Sequence, residues 1–71
     1  MKISTWNVNS VNARIEHLEK FIKKDQSDIY LLQELKTIEE GFPKEIIKNT
    51  GYYSYVNGQE AWNGVAILRK E

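Results

Sequence analysis

Cysteine is absent from this chain of 71 residues. Disulfide staples and thiolate metal centres are therefore excluded. Excess charge of either sign is absent too, since ten Lys and Arg balance ten Asp and Glu. A free-standing nucleic-acid binder usually carries a basic face, so any contact with DNA here is local or belongs to something larger. No run approaches the roughly 20 apolar residues that span a bilayer, so no membrane partner is expected. Met1-Lys2 leads directly into strand-like sequence and not into a signal peptide, which makes a cytoplasmic location the expectation. Repeats and low-complexity segments are missing. The 41% of hydrophobic and 28% of charged residues exclude a disordered tail. The length allows one domain at most, and such a chain buries only about 60% of the surface its unfolded form exposes.

What is present reads as alternating strands and helices. Lys2 to Val8 has the Ile, Thr, Trp and Val content of a strand, and Asn7, Asn9 and Ser10 mark the turn after it. Ser10 or Asn12 is the expected N-cap of a helix over Ala13 to Lys24. Val11, Ile15, Leu18 and Ile22 recur at helical spacing as an apolar stripe that begins just ahead of it, widened by Phe21. Glu16/Lys20 and Glu19/Lys23 stand at i,i+4 in the favourable order. Ile29 to Gln33 is a second strand, continuously apolar and so expected to be covered on both faces. Strand, helix and strand at this spacing predict a βαβ unit with parallel strands. Ligands collect at the carboxyl ends of such strands, which places Asn7 and Glu34 at one rim.

Pro43 is expected as the first residue of a short helix over Lys44 to Asn49, with Gly51 as its C′ residue. Tyr52 to Val56 and Val65 to Leu68 follow as strands, with Asn57-Gly58 and Asn63-Gly64 as turn signals. Four apolar strands exceed what one good helix and one short one can cover. The expectation is a part of a larger fold.

The run Asp28-Ile29-Tyr30-Leu31-Leu32-Gln33-Glu34-Leu35-Lys36 is the most telling one. It sets a carboxylate at the tip of a buried strand, which is costly unless something cationic meets it. A second segment is Lys2-Ile3-Ser4-Thr5-Trp6-Asn7-Val8-Asn9-Ser10 with Ala13-Arg14 following, and a third is Gly58-Gln59 followed by Trp62-Asn63-Gly64-Val65-Ala66-Ile67-Leu68. Together these resemble the exonuclease III family of AP endonucleases, within the endonuclease/exonuclease/phosphatase superfamily. Ser27, Tyr30 and Leu35 depart from the family's usual Pro or Ala, aliphatic residue and Thr. The resemblance implies an α/β fold, the N-terminal portion of a four-layer α/β sandwich, with 1–71 a partial domain ordered β-α-β, short helix, β-hairpin. The catalytic Asp, Asn, Tyr and His that family members carry further along have no counterpart here.

The resemblance also implies roles. The counterpart of Glu34 binds the catalytic Mg²⁺, with Mn²⁺ as the alternative ion, a hard cation that often takes only one or two protein carboxylates. The counterpart of Asn7 sits beside metal and phosphate. Asn9, Arg14, Lys36 and Trp62 are candidates for substrate or phosphate contact, Lys36 alternatively for supporting the metal ligand from behind, and Gln33 for bracing Glu34 or nearby backbone. Plainer explanations exist for each. Glu34 could be a solvated strand end or pair with Lys36, and Asn7 and Asn9 could serve the turn. Lys36 and Arg14 could be surface cations, and the aromatics core or sheet residues. His17 is expected to face solvent.

Three functions compete. The first is an Mg²⁺-dependent AP endonuclease and 3′-5′ exonuclease of DNA repair, acting on duplex DNA with abasic or 3′-blocked ends. The second is a non-catalytic remnant, or a structural complement to a C-terminal half on another chain. The third is another superfamily phosphodiesterase, such as an inositol-lipid phosphatase or nonspecific nuclease. The expectation is the first for the whole enzyme and inactivity for the isolated chain.

Overall fold

The structure is a computed structural model that describes residues 1–59 and 62–71. In chain order it contains β1 (Ile3–Asn7), α1 (Ile15–Asp25), β2 (Ile29–Gln33), a 3-10 turn (Glu39–Gly41), α2 (Lys44–Asn49), β3 (Tyr52–Asn57) and β4 (Val65–Lys70). The four strands form one mixed sheet in the order β1-β2-β4-β3. β1 and β2 are parallel, as the βαβ reading requires, with Asn7 opposite Gln33. β4 runs antiparallel to both β2 and β3.

α1 covers one sheet face because its apolar stripe does. Leu18 and Ile22 are fully buried, and Ile15 packs on the same core. Phe21 stands at the margin, where its ring meets Trp6 and Tyr30 edge-on at 5.9 and 6.0 Å. Tyr30 in turn meets Tyr52 at 5.3 Å, so a file of aromatics ties β1, α1, β2 and β3 together. Of the expected helix pairs, Glu19 and Lys23 approach to 4.0 Å; Glu16 and Lys20 form no ion pair. Among the described residues no helix is long and apolar enough to cross a membrane.

Several local expectations are corrected. α1 starts at Ile15, with Arg14 at the cap position and no side-chain cap bond. Ser10 Oγ instead accepts the Ala13 N–H at 3.4 Å, in the turn ahead of the helix. Asn12 Nδ2 donates to the Gly41 carbonyl at 3.1 Å, a tertiary tie from the turn ahead of the helix. Pro43 stands just before the first residue of α2, whereas Gly51 is the C′ residue expected, at φ 95° with its N–H on the Lys48 carbonyl. Asn57-Gly58 makes no tight turn, because Asn57 completes β3 opposite Val65. A Cβ on Gly58 would lie 2.3 Å from the Thr37 carbonyl oxygen, so this glycine permits a close passage of the 37–39 backbone.

The largest correction concerns coverage. Tyr30, Leu32, Ala66 and Leu68 are buried beneath the helices. On the opposite face Val65 is 51% and Ile67 46% exposed, with Ile3, Tyr53 and Tyr55 open beside them. Continuous apolar strands are thus covered on one side only. The chain contributes two layers, a sheet and its helices.

The rim at the amino ends of β1 and β2 holds a polar knot. Asp25 accepts from Lys2 Nζ at 2.6 Å, Tyr30 OH at 2.9 Å, Ser4 Oγ at 3.3 Å and also from Ser27 Oγ. Tyr30 OH accepts the Ser27 N–H at 3.1 Å, and Tyr52 OH donates to the Ser27 carbonyl. The hydrogen bond from Lys2, then that from Ser27, holds the Asp25 carboxyl well below its ordinary range. Burial pushes the Tyr52 hydroxyl above its usual value. Ser27 and Tyr30 are both members of this one network.

Candidate active site

At the other rim the carboxyl ends of β1 and β2 meet the start of β4, where Val65 pairs with Gln33. The backbone ladder continues past the strands. Val8 N–H reaches the Gln33 carbonyl at 3.0 Å, Ser10 N–H that of Glu34 at 2.9 Å, and Val11 N–H that of Leu35 at 3.0 Å. From the other side Leu35 N–H reaches the Gly64 carbonyl at 3.2 Å and Lys36 N–H that of Asn63 at 3.1 Å. Three loops are thereby laced into one surface.

Leu35 explains how the acidic and basic side chains are presented. It is fully buried and anchors the turn, while Glu34 and Lys36 on either side take the left-handed region at φ 53° and 55°. An L-residue pays roughly 1–2 kcal/mol for that conformation, which glycine would adopt without it. Asn9, Ser10 and Asn63 share the left-handed region at φ 46°, 82° and 57°. Such conformations concentrate where surrounding contacts over-determine them, commonly at functional sites.

The side chains form a linked series. Asn7 Nδ2 donates to Glu34 Oε2. Asn7 Oδ1 accepts the Asn9 N–H at 3.1 Å, which fixes which end of the amide faces the carboxylate. Lys36 Nζ donates to Asn9 Oδ1 at 2.5 Å. Glu34 is therefore not ion-paired with Lys36, and its cationic neighbour is engaged elsewhere. Glu34 Oε1 accepts no hydrogen bond from the described residues.

The structure thus brings Asn7, Asn9, Glu34 and Lys36 together. Trp62 is 73% exposed on the adjoining loop, next to Asn63, whose carbonyl holds the Lys36 N–H. Gln33 makes no side-chain hydrogen bond to Glu34 and braces nearby backbone, the other half of the expectation. Its Nε2 donates to Thr5 Oγ1 at 2.7 Å and to the Leu31 carbonyl at 2.9 Å, so it joins β1 to β2. Arg14 is half-buried, with its N–H on the Ser10 carbonyl at 3.2 Å and no ion pair from its side chain to a described residue. His17 is exposed on α1, beside a groove shared with Thr5, Trp6 and Phe21.

Sequence reasoning missed the backbone carbonyls of Asn63 and Gly64 as ladder partners for the Glu34 turn. Their signal was the Asn-Gly pair, read only as a turn. A Cβ on Gly64, at φ 85°, would come within 3.1 Å of Leu35 Cβ. Among the described residues no three His, Cys, Asp or Glu side chains converge as a metal cage.

Comparison with known proteins places this geometry. The model of the Endonuclease/Exonuclease/phosphatase family matches residues 4–71. Exodeoxyribonuclease III of Haemophilus influenzae is 44% identical over 71 residues, covering 100% of this chain and 27% of that protein. The solved AP endonuclease of Archaeoglobus fulgidus superposes with a TM-score of 0.94 at 35% identity, over 97% of this chain and 27% of the other. The 3′ phosphatase NExo from Neisseria, bound to product DNA hairpin, gives 0.93 at 40% identity over the same shares. The chain spans about a quarter of the length of the relatives it matches. It corresponds to the N-terminal part of their fold.

Proposed function

The chain belongs to the endonuclease/exonuclease/phosphatase family, and on that basis we propose that it forms one wall of the active site of an exonuclease III-like DNA repair nuclease. The reaction is hydrolysis of a phosphodiester, and the substrate is duplex DNA at abasic sites or 3′-blocked ends. The observation that carries the reading is the Asn7–Glu34 hydrogen bond at the rim where β1, β2 and β4 meet.

The donor set fits Mg²⁺. One carboxylate with an unengaged oxygen, and no further acidic or imidazole ligand converging on it among the described residues, suits a cation that keeps several waters and shares the substrate's phosphate. The same set would not hold a structural zinc, which takes four protein ligands. Glu34 would hold the ion. When bound, Mg²⁺ supplies positive charge to the phosphate and the departing 3′ oxygen. Asn7 orients the carboxylate through Nδ2, and the same N–H₂ group is placed to meet a phosphate oxygen. Trp62 offers an exposed aromatic face at the DNA-facing edge.

Orienting the attacking water and taking its proton require a general base, and no described residue at this rim is placed for that task. In this reading those groups come from additional length of the kind the relatives possess, or from a second polypeptide, and the isolated chain does not turn over. The test is cleavage of an abasic-site duplex in Mg²⁺ by a polypeptide of the relatives' length that carries this sequence. Glu34→Ala is expected to lower the rate by at least about 10²–10³-fold, the usual cost of removing a group that stabilises the transition state. Full activity in Glu34→Ala overturns the assignment.

A further inference from the structure

We propose that Lys36 and Asn9 are a positioning pair for the Asn7–Glu34 couple and are not phosphate ligands. The inference rests on the reading of Glu34 as the cation's carboxylate, but it concerns how the couple is held. The sequence offers Lys36 as a phosphate contact, because an exposed lysine two residues from a metal carboxylate invites it. The geometry points to a different role.

Lys36 is turned away from the carboxylate by its own backbone. With Leu35 fully buried and Lys36 in the left-handed region, Nζ is carried back across the β1 loop to Asn9 Oδ1, at 2.5 Å. Charge-assisted hydrogen bonds of this kind are short and strong. The link sets the Asn9 side chain, while the Asn9 N–H holds Asn7 Oδ1 at 3.1 Å. That bond in turn leaves only Nδ2 of Asn7 to face Glu34. The order of control therefore runs from Lys36 through Asn9 and Asn7 to Glu34.

A second observation comes from the backbone that this link restrains. Asn9 and Ser10 are consecutive residues in the left-handed region, at φ 46° and 82°. Such a pair relaxes readily when nothing holds it. The Ser10 N–H on the Glu34 carbonyl, at 2.9 Å, pins one side of this turn, and Lys36 Nζ pins the other. Without the lysine the turn loses its outer restraint, and the Asn7 amide loses the neighbour that orients it.

The experiment follows the Asn7 side-chain amide in the ¹⁵N-labelled chain without metal, in Lys36→Met, Lys36→Arg and Asn9→Ala. The expected result is a shift of the Asn7 Nδ2 signals toward the free-amide position in Lys36→Met and in Asn9→Ala. The double variant should move them no further, because both changes break one linkage. Lys36→Arg should restore the native position. Asn9→Ala alters an exposed residue and carries the same expectation should Lys36→Met fail to fold. Unmoved Asn7 signals in either single variant overturn the proposal. A titration with inorganic phosphate gives the other arm. Phosphate shifts at Lys36 that vanish in Lys36→Met would make Lys36 a phosphate ligand and also overturn it. If Glu34 proves not to bind a cation, the functional reading falls, while the metal-free Asn7 signals still decide the positioning role.

Discussion

Glu34 combines a hydrogen-bonded carboxylate with an unfavourable backbone conformation. Its φ of 53° would suit glycine, yet the position holds a carboxylate engaged by Asn7. Removing the side chain separates the two effects. Glu34→Ala loses the carboxylate and keeps the unfavourable backbone, whereas Glu34→Gly loses the carboxylate and relieves the backbone. Urea unfolding is expected to find Glu34→Gly the more stable of the two by about 1 kcal/mol. Equal stability, or an advantage for Ala, would mean that the left-handed turn is not held as described. That Asn7 and Glu34 meet at one rim was legible in the sequence, because each stands at the carboxyl end of one of two parallel strands. The left-handed turn was not, since Glu and Lys carry no signal for positive φ. The Gln33 partnership with Thr5 was illegible for another reason: it depends on the register of β1 against β2, which only pairing defines.

At the scale of elements, α1 was legible from its 3.6-residue apolar period, β1 from its β-branched and aromatic content and β2 from a continuous apolar run, with bounds within two residues of those observed. The helix start was placed two residues early because Val11 to Arg14 form a separate turn, with the Arg14 N–H on the Ser10 and Val11 carbonyls. The order β1-β2-β4-β3 places the third strand at an edge, which strand composition does not encode. The Asp25 knot joins the end of α1 to the starts of β1 and β2, and it makes stability depend on pH. The folded Asp25 carboxyl lies below its ordinary value of 3.8, so its stabilising contribution is complete above that value. As pH falls below 3.8 the unfolded chain takes up the proton first, and stability is lost until the folded carboxyl protonates as well. Chemical denaturation from neutral pH down to about pH 2.5 should show a falling midpoint. Asn at position 25 should flatten that fall while lowering the midpoint at neutral pH. An unchanged acid slope in Asp25→Asn would place the pH dependence elsewhere. Tyr52 adds the opposite limb: its raised value means that stability declines as pH climbs past 10.0.

The whole molecule is compact, with a radius of gyration of 10.8 Å, close to the ~11 Å expected for a folded chain of this length. It is nonetheless one-sided, since one sheet face is roofed by helices and the other exposes Ile3, Tyr53, Tyr55, Val65 and Ile67. An apolar patch of that kind promotes association in water. Ile67→Lys, at a position already 46% exposed, should reduce light scattering at high concentration with little change in the unfolding midpoint. Unchanged scattering would show that the bare face does not drive association. The sequence revealed that four apolar strands outnumber their helical cover, but which face stayed open needed the sheet.

The central claim is that Glu34, oriented by Asn7, is the cation's carboxylate. The most direct test is titration of the ¹⁵N-labelled chain with Mn²⁺, whose unpaired electrons broaden only nearby signals. Broadening that begins at Asn7 and Glu34 and is abolished in Glu34→Gln is the predicted result. Broadening centred on other carboxylates, or unaffected by Glu34→Gln, would contradict the account.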